Sequence, residues 1–212
     1  MPLSCPLCHS NQVVLFHQDK KRHYYRCDCC QLVSVPATEY VTEQAEKAVY
    51  DLHDNDCADA GYRRFLGRTW QPLAERLSVD KRGLDYGCGE GAVLSLMAQE
   101  QGYQVANYDL FYHPNKQVLA CQYDFVTMTE VIEHIADAKK MWQQLDSLLV
   151  AGGTLAIMTK MALDKEAFAR WHYINDPTHI NFYSIATFEW LAKQMNWQLE
   201  VIANDVVFFS KP

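Results

Sequence analysis

Apolar and polar positions along this chain follow two periods. Residues 12–16 and 23–26 are short, strand-like runs that predict a hairpin. Ser34, Val35, Pro36, Ala37 and Thr38 read as its exit and linker. Helical spacing follows over 38–52, with Tyr40, Val41, Ala45, Ala48, Val49 and Leu52 available for one face. A polar break at 53–56 ends it, and a second helical stretch over 62–77 is interrupted at Pro72. From Gly83 the texture changes to short apolar runs alternating with helical patterns. Strands are predicted at 83–86, 104–109, 117–122, 123–129 and 154–159, and helices at 92–101, 137–149 and 187–196. A long loop covers 171–183, and 198–202 with 206–209 read as a closing antiparallel pair. This alternation implies an α/β fold with a doubly wound, mostly parallel sheet.

Composition and charge narrow the classes. A chain of 212 residues suits one full domain with a small appendage. Apolar residues at 49% and charged residues at 21% are enough to bury a real core, which excludes disorder as the main state. Nineteen Lys+Arg against 26 Asp+Glu leave a net charge of −7, which disfavours a broad electrostatic grip on nucleic acid or anionic lipid. No apolar run approaches the roughly 18–20 residues that span a bilayer, so no membrane partner is expected. The start, Met1-Pro2-Leu3-Ser4-Cys5, has neither the basic nor the apolar segment of a signal peptide. A soluble cytoplasmic protein is the expectation.

Cysteine placement changes the picture more. Five of the eight cysteines fall between positions 5 and 30, as Cys5-x2-Cys8, a longer gap, then Cys27-x2-Cys30 with Cys29 between. Each CxxC is a tight turn that aims two sulfurs at one point, and two such turns supply a tetrahedral zinc shell. Cys5, Cys8, Cys27 and Cys30 are the expected ligands of a structural Zn2+. The x2 spacing favours Cys30 over Cys29, which is then a spare thiol or a small buried residue, and His9, His17 and His23 fit the spacing less well. Reduced cysteines that only pack, or a site that no longer binds metal, are the alternatives. A module this small has almost no core, so metal would supply its folding energy.

The next informative stretch is Leu84-Asp85-Tyr86-Gly87-Cys88-Gly89-Glu90-Gly91. Three alternate glycines between a strand and a helix let a ligand approach the backbone and allow a tight turn. Asp109, one predicted helix beyond Gly91, ends the next strand, where a carboxylate can accept both ribose hydroxyl hydrogens. The GxGxG spacing, in place of GxGxxG, makes a dinucleotide the second choice.

These residues, with Tyr123-Asp-Phe-Val-Thr-Met-Thr-Glu-Val-Ile-Glu-His-Ile135, resemble class I S-adenosylmethionine-dependent methyltransferases from about Gly83 to the C-terminus. The resemblance implies a Rossmann-like, seven-stranded sheet over 83–212, preceded by a helical lead-in over 39–82 and a zinc-ribbon-like module over 1–38. It implies S-adenosylmethionine as cofactor, held by Asp85, Gly87, Cys88, Gly89, Gly91, Asp109 and Leu110, with Glu130 beside the reacting centre. Only the short link 110–122 separates Asp109 from Tyr123, so the usual helix and adenine-contacting acid there are abbreviated. Phe111 and Tyr112 are expected to cover the adenine. Tyr50, His53 and Tyr62 are expected to close the pocket from the N-terminal side.

Methyl transfer from a sulfonium is an in-line displacement that depends on alignment, plus a base where the nucleophile carries a proton. Candidate bases are Glu133, His134, Lys160, His172 and His179, the last two in the aromatic loop Arg170–Tyr183. In a few related methyltransferases, Glu-x-x-Glu-His triplets such as Glu130, Glu133 and His134 hold a divalent metal. The favoured alternative is that the triplet caps a helix and shapes the pocket. No Asn/Asp-Pro-Pro-Tyr/Phe/Trp motif follows the fourth strand, and there is no Pro-Cys dipeptide, which disfavours two routes to base methylation. The acceptor is expected to be a small metabolite. RNA, docked through the ribbon's Lys20, Lys21, Arg22 and Arg26, is the second choice, and a non-catalytic S-adenosylmethionine-binding adaptor the third.

Overall fold

The computed structural model describes residues 3–52 and 56–212, so His53 lies outside the described residues. The expected hairpin joins β1 (Val13–Gln18) to β2 (His23–Cys27), with a bulge between Leu15 and His17. β3 (Val33–Ser34) pairs antiparallel with β2. The helix expected over 38–52 is instead a 3-10 turn at Ala37–Glu39 followed by α1 (Glu43–Tyr50). The Thr42 hydroxyl accepts from Ala45 N and sets the start of α1. α2 (Ala60–Ala74) is capped by Asp59 and runs through Pro72, where an interruption was expected. Pro72 falls in the last turn, so its missing N–H removes one bond from a helix anchored by buried Leu66, Trp70 and Leu73.

The chain continues as β4 (Arg82–Tyr86), α3 (Val93–Glu100), β5 (Gln104–Tyr108), β6 (Tyr123–Thr129), α4 (Ala138–Leu148), β7 (Leu149–Met158), α5 (Lys165–Ala169), β8 (Asn181–Phe182), α6 (Ile185–Met195), β9 (Gln198–Ala203) and β10 (Val206–Ser210). The main sheet has the order β5-β4-β6-β7-β10-β9. Its first four strands are parallel, and β10 runs antiparallel to both β7 and β9. Among the described residues it has six strands, where seven were expected. The predicted strand at 117–122 is a 3-10 turn, Lys116–Ala120. A parallel crossover uses about a dozen residues or more before its strand can begin, and the link 110–122 has none to spare for a further strand. Asn115 caps that turn by accepting from Gln117 N, and the Tyr123 hydroxyl donates to Val118 O at 2.8 Å.

Helices cover both faces of this sheet. On one, α2 and α3 pack Leu66, Trp70, Leu73, Val93, Leu94 and Met97 against Phe125, Met158 and Phe208. On the other, α4 and α6 pack Met141, Trp142, Leu145 and Phe188 against Val126, Met128 and Phe209. Strands buried on both faces read as continuous apolar runs, which is why β6 and β10 were legible. Gly83 permits the closest approach, since a Cβ there would lie 2.1 Å from the Phe125 ring.

The N-terminal strands do not stand apart. β3 pairs with β8, Val33 opposite Phe182 and Ser34 opposite Asn181, giving a second sheet of order β1-β2-β3-β8. Phe16, Tyr24 and Val33 share a core with Phe168, Tyr173, Ile174 and Phe182. Cys5, Leu7, Cys30 and Leu32 join the cluster that holds Trp142 and Leu145.

Candidate active site and cysteine cluster

The glycine turn sits at the carboxyl end of β4. Gly87 and Gly89 adopt φ of +74° and +65°. A Cβ on Gly87 would also meet Val131 Cγ2 at 2.4 Å, so the position is closed to larger residues on two counts. The N–H groups of Gly87 and Cys88 both donate to Tyr108 O, at 2.7 and 3.2 Å, which ties the turn to the end of β5. One residue on, the Asp109 carboxylate accepts from Gly89 N at 3.1 Å, Phe111 N at 2.8 Å and Tyr112 N at 3.1 Å. Asp109 therefore lies against the turn and shapes the loop carrying Phe111 and Tyr112, while Leu110 is exposed. Asp85 is buried beneath, with its Oδ1 accepting from the Thr127 hydroxyl at 2.8 Å. Burial raises its pKa to about 6.

The acceptor-side candidates gather at the end of β6. Glu130 takes a left-handed φ of +54°, and a single 3-10 turn, Ile132–His134, follows in place of the expected helix start. Glu133 is 0% exposed, and the Tyr173 hydroxyl donates to its Oε1. That hydroxyl also lies 3.2 Å from Glu130 Oε2 and 3.3 Å from Thr159 Oγ1. Among the described residues, Glu130 Oε1 and Glu133 Oε2 are buried without a hydrogen-bond partner. Burial raises the pKa of both carboxyls, and for Glu130 the neighbouring Glu133 charge adds to it.

Both histidines beside them are held by carbonyls. His134 Nδ1 lies 3.1 Å from Thr178 O, and His179 Nδ1 lies 2.8 Å from Tyr173 O. A carbonyl only accepts, so each Nδ1 carries the proton. The two rings are 4.7 Å apart, and His179 lies 4.0 Å from the Tyr173 ring. Burial, with the His134 charge second, lowers the His179 pKa. Glu133, His134 and His179 each place one ligand atom within 4.8 Å of the others. Orphaned Glu133 Oε2 and histidines anchored through Nδ1 are a donor set that fits a divalent cation.

The other candidates are placed differently. His172 is exposed, receives Lys160 Nζ at 2.9 Å on Nε2, and is not among the clustered residues. Tyr50 lies between the two halves of the site, 5.9 Å from Phe111 and 5.3 Å from His134 by ring centroids. Tyr62 is half-buried, and the charges of Asp85 and Glu130 add to the burial that raises its pKa. Sequence reasoning missed Tyr173. The aromatic character of its loop was the available signal.

At the N-terminus, Cys5, Cys8, Cys27 and Cys30 bring their sulfurs within 4.8 Å of one another. Cys5–Cys30 and Cys8–Cys27 are each 3.4 Å apart, far beyond a disulfide bond. Tetrahedral zinc with bonds of about 2.3 Å sets its sulfurs about 3.8 Å apart, so the four residues fit zinc. The two knuckles match. His9 N donates to Cys5 O and Gln31 N to Cys27 O, with φ of +59° at His9 and +60° at Gln31. Cys30 is buried and Cys29 exposed, which leaves Cys29 as the spare thiol. His17 stacks on Tyr24 and His23 binds Glu39 at 2.7 Å. The basic run is broken as well: Lys20 and Lys21 are exposed, but Arg22 is buried.

Among the described residues no helix is long and apolar enough to cross a membrane. No curated protein matches the chain. Solved structures share the fold. An S-adenosylmethionine-dependent methyltransferase of Methanosarcina mazei aligns at 15% identity over 66% of this chain and 96% of its own, with TM-score 0.52. The Burkholderia thailandensis 1,6-didemethyltoxoflavin-N1-methyltransferase, bound to 1,6-didemethyltoxoflavin and S-adenosylhomocysteine, aligns at 15% over 92% and 97%, TM-score 0.51. Magnesium protoporphyrin IX methyltransferase of Synechocystis PCC 6803, with S-adenosylhomocysteine, aligns at 13% over 80% and 95%, TM-score 0.55. Residues 59–201 match the model of a methyltransferase-domain family. The chain belongs to that family and carries the fold of S-adenosylmethionine-dependent methyltransferases.

Proposed function

We propose that the protein transfers the methyl group of S-adenosylmethionine to a proton-bearing oxygen or nitrogen of a small molecule, with His134 taking the proton. Asp85, Gly87 and Gly89 would hold the methionine portion of the cofactor, and Asp109 its ribose. Val131 touches Gly87, so the residues on either side of it, Glu130 and the Ile132–His134 turn, flank the reacting end. The observation that carries this reading is the His134 ring. Its Nδ1–H is anchored on Thr178 O, which leaves Nε2 as the basic nitrogen, and the Glu133 carboxylate beside it balances the charge that develops. His179, kept neutral by burial, and Tyr173 hold the two carboxylates and the ring in place.

A small acceptor is favoured by the net charge of −7 and by Arg22, whose burial removes it from the basic docking face that RNA would need. The Burkholderia and Synechocystis neighbours also act on small molecules. The same Glu133, His134 and His179 would alternatively hold a divalent cation, which when bound polarises an acceptor hydroxyl.

Tritiated methyl label from S-adenosylmethionine, supplied with a fractionated cell extract, tests this. Label is expected in the small-molecule fraction, unchanged by added Mg2+ or Mn2+ in protein that keeps its zinc. His134→Asn, which keeps a donor toward Thr178 O, should slow transfer on the order of 10²–10⁴-fold with S-adenosylhomocysteine affinity unchanged. Label in RNA, or wild-type transfer by His134→Asn, would overturn the proposal, and a requirement for added Mg2+ or Mn2+ in zinc-loaded protein would favour the cation.

A further inference from the structure

Arg22 is a puzzle for a residue in a hairpin turn. It is 7% exposed and carries a fixed charge, yet its partners are not carboxylates. Nη1 donates to Pro177 O at 3.1 Å and His179 O at 2.8 Å. Nη2 donates to Ile174 O at 2.5 Å and Asp176 O at 2.9 Å. Nε reaches the Tyr24 hydroxyl at 3.3 Å, which itself donates to Asp19 at 2.8 Å. All five N–H donors of the fork are used, four of them on the short segment 174–179, remote in sequence.

That segment has little regular structure to satisfy its own carbonyls. Past the 3-10 turn His172–Asn175 it winds around the guanidinium as a loop winds around a bound cation. Its carbonyls divide by direction. Those of 174, 176, 177 and 179 face Arg22, while those of Tyr173 and Thr178 face His179 and His134. Next in line, Ile180 N donates to Glu133 O and Ile180 O accepts from Val35 N, both at 2.9 Å. Asn181 Nδ2 donates to Ile135 O at 2.7 Å. The segment is thus bonded on one side to the cysteine-ligated hairpin and on the other to the Glu133–His134 turn.

We infer that Arg22 is a positioning residue for the acceptor side: by gripping the outward carbonyls of 174–179 it presents those of Tyr173 and Thr178 to His179 and His134. The N-terminal hairpin is then a buttress of the active site and not a docking arm. Losing the fork would leave the carbonyls of Pro177 and His179 without a donor, and those of Ile174 and Asp176 with only the long bonds from the Tyr24 hydroxyl and His179 N, both at 3.4 Å, and the segment would open to water. Lysine keeps the charge but has three donors and no planar fork, so it holds fewer of the four. The functional meaning rests on assigning residues 130–179 to the acceptor. The readouts below need no turnover, so they stand or fall apart from that assignment.

The test compares wild type, Arg22→Met and Arg22→Lys in four measurements: zinc content, S-adenosylhomocysteine affinity by calorimetry, amide exchange over 174–180, and imidazole tautomers by long-range 1H–15N spectra. Arg22→Met should keep its zinc and bind S-adenosylhomocysteine within about twofold of wild type. Its 174–180 amides should exchange about tenfold faster or more, and the single Nδ1–H tautomer of His134 and His179 should become mixed. Arg22→Lys should fall between, and carries the test alone if the Met variant does not fold. Wild-type exchange and tautomers in a zinc-loaded variant would overturn the inference. So would loss of S-adenosylhomocysteine affinity in step with the loop, since that marks general unfolding.

Discussion

The proposed cofactor cradle and the proposed acceptor side touch at Val131 and Gly87, but they are built from different materials. The cradle is mostly backbone: a turn of two positive-φ glycines, pinned to Tyr108 O and to Asp109, all between positions 85 and 109. The acceptor side is mostly side chains, and four segments supply it. Glu130, Glu133 and His134 come from the end of β6, Thr159 from the end of β7, Tyr173 and His179 from the following loop, and Arg22 from the N-terminal hairpin. A backbone site is set by local geometry and tolerates change around it. A side-chain site assembled over long range depends on every element that holds a segment in place. The two regions should therefore fail separately.

Metal removal is the harshest way to try to break this separation. Purified protein is expected to hold about one zinc per chain on Cys5, Cys8, Cys27 and Cys30. Structural zinc contributes on the order of 10 kcal/mol to such a fold, so a strong chelator, or Cys30→Ser, should unfold the hairpin outright. Amide protection should vanish over β1 and β2 and fall sharply over 172–182, while the 84–91 turn keeps most of its protection. Equal loss in both regions would show that the cradle too depends on the hairpin.

Gly87→Ala attacks from the other end. Its φ of +74° and the 2.4 Å approach to Val131 mean the methyl group fits only if the turn moves. A penalty of about 2–3 kcal/mol lowers S-adenosylhomocysteine affinity roughly 30- to 160-fold in calorimetry. The His134 and His179 tautomers should be untouched. Unchanged affinity would mean that the turn does not contact the cofactor.

The same difference decided what could be read in advance. Leu84–Gly91 and Asp109 declare themselves because glycine spacing, a strand before and an acid after are all local. Strands β4 and β6 fall where the pattern put them, whereas β7 starts not at 154 but at Leu149, where the helix over 137–149 was expected to end. The segment 117–122 has a strand's composition, but its fate was decided by the shortness of the link from Asp109 and by the Asn115 cap, so a seventh strand did not form. Pro72 predicted a break that burial of Trp70 and Leu73 overrode. Four cysteines at two CxxC spacings named a metal site, and the geometry brings those four together. Arg22 could not be singled out. In sequence it belongs to a basic turn with Lys20 and Lys21, and only its partners in 174–179, far along the chain, reveal that it is buried. His172 and His179 looked equivalent in one aromatic loop, yet one is exposed beside Lys160 and the other faces Glu133.

The smallest effect expected sharpens the comparison, because it reports on one carboxylate of the cradle alone. Burial, reinforced by the charge of Asp109, lifts the Asp85 pKa from an ordinary 3.8 to about 6, against the Thr127 hydroxyl, which pulls it down. An acid with a raised pKa is neutral below that value and ionised above it. In the protein without cofactor, folding favours the neutral form, so the stability Asp85 contributes is present below about pH 4 and lost as the pH rises through about 6. A cofactor bearing an ammonium and a sulfonium favours the ionised form, so its affinity runs the opposite way. Between about pH 5 and 7 the ionised fraction climbs about tenfold, while an α-amino group of pKa near 7.7 stays largely protonated. S-adenosylmethionine affinity should rise by up to about tenfold over that window as the melting temperature of the unliganded protein falls. Asp85→Asn, which keeps an acceptor for Thr127, should flatten both curves. Flat affinity in wild type would mean that Asp85 does not meet the charge of the cofactor, and a slope that survives in Asp85→Asn would assign the pH dependence to the glutamates and histidines across Val131, so that the two regions are not separable in charge.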